Sequence, residues 1–102
     1  MSNILELEAK SGIARLGTLE FKTGRDGKVR VFFRPENVLV KPGRGGARVI
    51  GYDLLPGRIR LRLEIGGKTI TAERFLNELP FSPEDIPPQE VSVEVLSYSV
   101  LE

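Results

Sequence analysis

The sequence predicts an all-β domain, and within that class a small OB-like barrel of short antiparallel strands, the oligonucleotide/oligosaccharide-binding type. Three observations lead to this prediction. Apolar and charged residues alternate along many short segments, glycine and proline separate these segments, and only residues 73–86 show a helical pattern. The strands number about eight, and a β-sandwich is the alternative architecture.

The composition restricts the chemistry that this chain can perform. Its 102 residues fit one OB-like domain spanning residues 1–102. It contains no Cys and no His, which excludes disulfides, thiolate zinc sites, cysteine nucleophiles and Ser–His–Asp catalysis. We therefore expect no enzymatic activity, no catalytic or metal-binding residues and no cofactor. The net charge of +1 does not require a polyanionic partner.

The hydropathy and the N-terminus together predict a cytoplasmic protein. No apolar run approaches the roughly 20 residues of a membrane span. Residues 1–6 also lack the basic and apolar blocks of a secretory signal.

The N-terminal third predicts a strand followed by two turns. Residues 4–9 alternate between apolar residues and glutamates, as along a half-buried strand. Residues 13–22 form a tight hairpin around Gly17. Residues 24–27 form a second turn, in which Asp26-Gly27 is a favourable hairpin pair leading into the next strand.

The central stretch, residues 29–40, predicts two strands joined by a proline corner. Every second residue of 29–33 is apolar, as along a pleated strand. Pro35 ends this strand because it fixes its own φ and has no N–H for a sheet ladder. Two turn residues follow, and residues 38–40 resume an apolar run.

The next segment predicts three more strands. Residues 43–46 are a flexible glycine-rich loop, and a strand at residues 47–55 follows it. Residues 58–65 have the clearest alternation in the chain, with aliphatic residues on one face and charged residues on the other. Gly66-Gly67 closes a two-residue hairpin, because both glycines accept a positive φ, and residues 68–72 form the return strand.

The C-terminal third predicts two helical turns and a final strand. The apolar residues of 73–79 share one face of a single helical turn. Residues 82–85 resemble a helix start, with serine as the cap and proline in the first position. The last strand covers residues 91–100, and its alternation slips at Val95-Leu96, which predicts a bulge or a bend.

Two motifs with possible chemistry favour structural explanations. Gly67-Lys68-Thr69 resembles the end of a phosphate-binding loop, but Arg62 occupies a position that needs glycine, and a strand follows instead of a helix. Glu84, Asp85 and Glu90 could supply carboxylates, yet helix capping and solubility explain them without a metal. We expect neither ATP binding nor a metal site in this chain.

Basic residues are concentrated between residues 22 and 48, and they allow two interpretations. In the first, Lys28, Arg30, Arg34 and Arg48 form a basic face, and Phe32 or Tyr52 stacks on the bases of a single-stranded nucleic acid. In the second, they form a solvated outer face of the barrel. The near-neutral charge balance favours the second interpretation, so we expect no nucleic-acid partner.

The central stretch also resembles a known family. Val31-Phe32-Phe33-Arg34-Pro35-Glu36-Asn37-Val38 is similar to the V-x-V-R-P-E-x-(V/L/I) stretch of TOBE domains. These are transport-associated OB-type domains at the C-terminus of many bacterial ATP-binding-cassette (ABC) importer ATPases. The resemblance covers most of the chain, from about residue 3 to residue 72 and on towards the final strand, and Arg34-Pro35-Glu36 is its most specific part. Further segments are similar to parts of such domains: residues 2–5, 13–17, 48–52 and 58–64.

The resemblance implies a non-catalytic regulatory domain of an importer ATP-binding subunit, with the ATPase domain preceding Ser2 and Met1 as an added start. The implied partners are that ATPase domain, a second copy in a homodimer and, indirectly, the membrane permease. The implied location is the inner face of the membrane, through the transporter complex. Arg34, Pro35 and Glu36 would form a structural corner or interface. A free-standing domain that binds a small ligand or oxyanion stays open as a further hypothesis.

Overall fold

The computed structural model describes residues 2–79, 82 and 90–101, and it has the all-β architecture that the sequence predicts. Its strands are β1 (Asn3–Lys10), β2 (Ile13–Leu16), β3 (Leu19–Lys22), β4 (Gly27–Phe33), β5 (Val38–Leu55), β6 (Arg58–Ile65), β7 (Lys68–Phe75), β8 (Glu90–Val95) and β9 (Ser99–Leu101). Single 3₁₀ turns lie at Pro35–Asn37 and Leu76–Glu78.

The strands form two antiparallel sheets that curl around a shared core, which makes a small barrel. The first sheet has the order β3-β2-β1-β4-β9 and the second has the order β7-β6-β5-β8. The long strand β5 pairs with β8 along its first half and with β6 along its second half. One apolar cluster fills the interior, and its largest fully buried side chains include Phe21, Phe33, Ile59, Leu61, Leu63, Ile65 and Ile70.

The predicted alternation is clearest in β1 and β6. In β1, every second residue from Asn3 to Ala9 is buried, and the residues between them are exposed. In β6, the aliphatic residues face the core and Arg58 and Glu64 face solvent. Each large aliphatic side chain removed from water in this way contributes about 1.5–3 kcal/mol. Period-2 patterning therefore fixes which face of each sheet becomes the core.

A buried asparagine joins the two sheets. The Asn3 side chain is 7% exposed, and it bonds to both backbone groups of Thr71 in β7. Its Nδ2 donates to the Thr71 carbonyl over 2.8 Å, and its Oδ1 accepts from the Thr71 N–H over 2.7 Å. An amide side chain thus supplies the two hydrogen bonds that a neighbouring strand would supply.

Other side chains bind the edge of β7 in the same way. Arg74 Nε donates to the carbonyl of Glu73 over 2.8 Å. The carboxylate of Glu78 accepts from the N–H of Phe75 over 3.1 Å. The edge of this sheet is therefore occupied at several points without a strand beside it.

Tyr98 binds the backbone of β3, an edge strand of the first sheet, in the same way. Its hydroxyl accepts from the Lys22 N–H over 2.8 Å and donates to the Lys22 carbonyl over 3.3 Å. Its ring packs edge-on against Phe21, with 5.0 Å between ring centroids. Arg25 also donates to the carbonyl of Leu101 in β9. Because Tyr98 leads into β9, its bond to β3 brings the two ends of the five-stranded sheet together.

The predicted Asp26-Gly27 hairpin is wrong. β3 and β4 are not neighbours, because β4 pairs with β1 and β9. The connection instead crosses the turn between β1 and β2. There the Thr23 N–H donates to the Gly12 carbonyl over 2.8 Å, and the Gly12 N–H donates to Asp26 Oδ1 over 2.7 Å.

The predicted loop at residues 43–46 is an excursion within one continuous strand. Pro42 and Ala47 both pair with Val91, so β5 leaves the ladder and returns to the same partner. Thr18 Oγ1 donates to the Gly45 carbonyl over 2.9 Å, and Glu90 accepts from the N–H that follows. These bonds hold the excursion against the turn between β2 and β3 and against β8, so the expected flexible loop is wrong.

Replacing Gly45 with alanine is expected to destabilise the fold by about 1–3 kcal/mol, because the new methyl group has no room. A Cβ at this position would lie 2.5 Å from the Cα of Ser92, which is backbone and cannot rotate away. Urea unfolding followed by circular dichroism measures the loss. Gly51→Ala is the matched control, because the atoms nearest to its Cβ would belong to the end of the long Arg62 side chain, which can rotate away. Equal losses in the two variants would contradict the expectation.

The C-terminal third differs from the prediction first at its helical turn. β7 continues to Phe75 before a 3₁₀ turn, so the predicted helical turn is shorter than residues 73–79. Of its apolar residues, Leu79 packs against the core whereas Phe75 and Leu76 are exposed. The predicted helix start at residues 82–85 lies outside the described residues, apart from Ser82.

The predicted slip at Val95-Leu96 marks a change of sheet. β8 ends at Val95, and the chain re-enters the first sheet as β9, which pairs with β4. One strand with a bend was expected, and two strands in different sheets are present. Strands that cross from one sheet to the other need such a break in phase.

Candidate interaction site

The Arg34-Pro35-Glu36 corner carries the chain from the first sheet into the second. Pro35 is buried in the first position of the 3₁₀ turn, where it has no N–H to leave unsatisfied. Arg34 has an extended backbone, with φ −86° and ψ 147°, and its carbonyl accepts from the Asn37 N–H over 3.0 Å. The proline corner that the sequence predicts is therefore present.

Two other parts of the chain are bonded to this corner. Arg74 Nη2 donates to the Glu36 carbonyl over 2.6 Å. The Leu96 N–H donates to the Asn37 carbonyl over 2.9 Å, at the point where the chain crosses back between the sheets. The Arg34 and Glu36 residues are exposed. The backbone of the corner is thus structural, whereas its two charged side chains are accessible.

Lys28 and Arg30 of the predicted basic face lie on β4, where they stand opposite acids. Lys28 pairs in register with Glu8, and Arg30 with Glu6, both on β1. These four side chains line a cleft of about 500 Å³ on the outside of the first sheet, together with Leu7, Arg25, Val29, Lys68 and Leu101. Each of the two β4 cations thus has an acid opposite it, and such cross-strand pairs stabilise a solvated sheet face, although Arg25 and Lys68 make the cleft as a whole more basic than acidic.

Arg48 and Tyr52 lie elsewhere, on β5 in the second sheet. Arg48 is exposed and stands opposite Glu64. Tyr52 stands opposite the buried Leu61, and it packs against the core. Arg34 is at the corner between the sheets. The structure therefore does not gather all the candidate nucleic-acid residues on one surface. Of the two candidate stacking residues, Tyr52 packs against the core, and Phe32 is half-buried on β4.

A cluster that the sequence did not indicate lies where β6 begins and β7 ends. Glu73, with its side chain 15% exposed, binds two guanidiniums: Arg60 over 3.1 Å and Arg58 over 3.4 Å. The Arg58 guanidinium carbon lies 5.1 Å from the ring centroid of Phe75. The alternation of residues 58–65 indicated that these arginines face outward, but not what they face.

Arg74 connects this cluster to the proline corner. Its side chain is largely buried, and it bonds to the carbonyls of Glu73 and Glu36. A cleft of about 220 Å³ lies between them, lined by Glu36, Arg58, Glu73, Arg74 and Phe75. We call this cleft, together with the adjoining Leu76, the Phe75 surface.

The described residues contain no group of three or more His, Cys, Asp or Glu side chains that could hold a metal ion. Of the candidate carboxylates, Glu90 lies in β8 and accepts from the Gly46 N–H over 3.2 Å. Glu84 and Asp85 lie outside the described residues. Gly66 and Gly67 form the turn between β6 and β7, with φ of +57° and +80°. Gly67-Lys68 is therefore part of a hairpin, and a phosphate-binding helix does not follow it.

In the part of the chain that the structure describes, no helix has the length and apolarity needed to cross a membrane. No protein-family model matches this chain, and no curated protein matches it.

Proposed function

We propose that this chain is a non-catalytic interaction domain, namely the C-terminal regulatory and dimer-stabilising domain of an ABC-type importer ATPase subunit. The observation that carries the proposal is the Arg34-Pro35-Glu36 corner, within a stretch that resembles the TOBE pattern from Val31 to Val38. The all-β barrel is compatible with the OB-type architecture of such domains.

The corner is suited to an interaction role by the way it is held. Its backbone is fixed by Pro35 and by bonds from Arg74 and Leu96, so little conformational entropy remains to be lost on binding. The side chains of Arg34 and Glu36 are left for a partner. In the proposed complex, the ATPase domain hydrolyses ATP, and this domain holds the subunits together at the inner face of the membrane.

The coding context tests this proposal directly. We expect an ATPase with a phosphate-binding loop to be encoded in frame before Ser2, or in an adjoining gene. The ATPase that carries this domain should then form a dimer in analytical ultracentrifugation, and the same ATPase ending before Ser2 should dimerise more weakly. A coding context with no ATPase would refute the proposal. An ATPase that dimerises equally well with and without this domain would also refute it.

Single-stranded nucleic acid is expected not to bind at physiological salt, because the basic side chains are dispersed and faced by acids. Fluorescence anisotropy with labelled DNA and RNA oligonucleotides, at low and at physiological salt, measures this. Any binding at low salt should be lost as counterions screen it. Saturable binding at physiological salt, weakened by Arg30→Ala and Arg48→Ala together, would instead support the nucleic-acid hypothesis.

A further inference from the structure

We propose that the outer face of β1 and β4 is a contact between two copies of this chain, related by a twofold axis that runs parallel to the strands. The inference deepens the proposed function, because it assigns the surface through which two such domains meet. It rests on that function only for the role of the contact in a larger complex, since the contact itself is argued from the residues of this face.

The charges on this face are divided between the two strands, with acids on β1 and bases on β4. Glu6 stands in register with Arg30, and Glu8 stands in register with Lys28. All four residues are exposed, because they alternate with the buried residues of their strands. The two strands therefore carry equal numbers of opposite charges, arranged as one acidic and one basic row.

An apolar pair continues the same two rows. Ile4 on β1 stands in register with Phe32 on β4, and Ile4 is 56% exposed although it is a large aliphatic residue. Phe32 is half-buried, as is Leu101 of β9, which stands opposite Arg30. A partner that covered Ile4 would remove apolar area from water, which favours association.

A twofold axis between β1 and β4 would use the charged and the apolar pairs together. Such an axis, parallel to the strands, lays β1 of one copy over β4 of the other at the same height along the strands. Each side chain then meets its complement in the second copy: Glu6 and Arg30, Glu8 and Lys28, Ile4 and Phe32. An axis across the strands would instead lay one acidic row over the other, so the charges select the first arrangement.

The remaining charges of the cleft oppose a partner of a single sign. Arg25 and Lys68 also line it, so a purely basic partner would be repelled there. A purely acidic partner, such as a nucleic acid, would meet Glu6 and Glu8. A second copy presents both signs at matching positions. The excess positive charge of Arg25 and Lys68 still opposes association, so we expect the contact to have low affinity.

The size of the face also predicts low affinity. β1 has eight residues, so β1, β4 and β9 together present a face of roughly 25 Å by 15 Å, from the usual strand rise and spacing. Stable interfaces bury about 800 Å² on each partner, which is more than this face offers. We therefore expect a dissociation constant of about 0.1–1 mM for the isolated chain. In the proposed complex, the joined ATPase subunits would raise the local concentration of the two domains.

Concentration-dependent nuclear magnetic resonance of the full, isotope-labelled chain tests the proposal. On dilution from about 2 mM to about 20 µM, a range that brackets the expected constant, the amide signals of β1 and β4 should shift. The largest shifts should come from Ile4, Glu6 and Arg30. Sedimentation equilibrium over the same range should fit a monomer–dimer equilibrium.

Charge reversals test the twofold arrangement itself. Glu6→Arg should weaken the dimer at least about tenfold, because one substitution alters two contacts in a twofold dimer, and Arg30→Glu should do the same. An equimolar mixture of these two variants should associate again, because one then presents two bases where the other presents two acids. The double variant, Glu6→Arg with Arg30→Glu, should also dimerise, since it only exchanges the two signs.

Arg15→Glu and Glu20→Arg are the matched controls. Arg15 and Glu20 form an exposed, in-register pair on β2 and β3, 3.3 Å apart, so their reversal makes the same changes of net charge on other strands. Neither control should alter the dimer. Ile4→Ser should weaken the dimer and leave the protein folded, so a folding defect in a charge variant does not remove the test.

Several results would overturn the inference. These are a chain that stays monomeric at millimolar concentration, shifts confined to other surfaces, a Glu6→Arg variant that dimerises like the wild type, and a mixture of the two charge variants that fails to associate. Loss and recovery in the Arg15 and Glu20 controls would show attraction between net charges, which also overturns it. Failure here leaves the coding-context test of the proposed function intact, because a domain that binds the ATPase itself could hold the subunits together without self-association.

Discussion

Phe21→Ala is expected to lower the free energy of unfolding by about 3–5 kcal/mol, the range for truncating a large aromatic residue in a core. Phe21 is 1% exposed and stands at the centre of an aromatic group. Its ring centroid lies 5.9 Å from that of Phe33 and 5.0 Å from that of Tyr98. Alanine would leave a cavity there and would remove the surface on which Tyr98 packs. Urea unfolding followed by circular dichroism measures the change.

Phe75→Ala is the matched control for this experiment. The same side chain is removed, but from a residue that is 52% exposed, so we expect a loss of less than about 1 kcal/mol. The slope of the unfolding curve should stay the same in both variants if only stability changes. Similar losses for Phe21 and Phe75 would contradict the assignment of the core.

Asn3→Ala is expected to destabilise the fold by about 2–4 kcal/mol, because it leaves two backbone groups of Thr71 without their partners. The Asn3 side chain is nearly buried, and its two bonds, 2.7 and 2.8 Å long, join the sheets. Thermal unfolding measures the loss. Amide hydrogen exchange at Thr71 gives a local reading, because its N–H loses the acceptor that protects it.

Asn77→Ala is the control for the asparagine experiment, because Asn77 is exposed on the 3₁₀ turn. It should change stability by less than about 0.5 kcal/mol. Unchanged exchange at Thr71 in Asn3→Ala would show that the side-chain bonds do not protect this edge. The expected role of Asn3 would then be wrong.

Strand positions could be predicted from the sequence wherever one face is buried. The glutamates of β1 and the arginines of β6 alternate with aliphatic residues, and the structure puts the aliphatic ones inside. Pro35 likewise marked the corner, because its missing N–H acts locally. These signals depend only on neighbouring residues, so no knowledge of the tertiary fold is needed to interpret them.

Pairing partners could not be predicted in the same way. Asp26-Gly27 is a good hairpin pair, yet the Asp26 side chain binds Gly12 while β4 pairs with β1. Residues 43–46 carry loop signals, yet β8 pairs with β5 on both sides of them. At the candidate site, the bond from Arg74 to the Glu36 carbonyl spans 38 residues, and no local pattern encodes it. Tertiary contacts decided each of these cases.

The side chains bound along the sheet edges have a consequence for how this chain can associate. An open strand edge is a template for a further strand, from another copy or from an unfolded chain. Here Asn3 is hydrogen-bonded to the backbone of Thr71, Tyr98 to that of Lys22, and Arg25 to the carbonyl of Leu101. These backbone groups are therefore not available to pair with a further strand. At those points, association has to use side-chain surfaces, whose partners are chosen by shape and charge. A domain whose described residues are mostly strand is in this way less open to the edge-to-edge pairing from which fibrils grow.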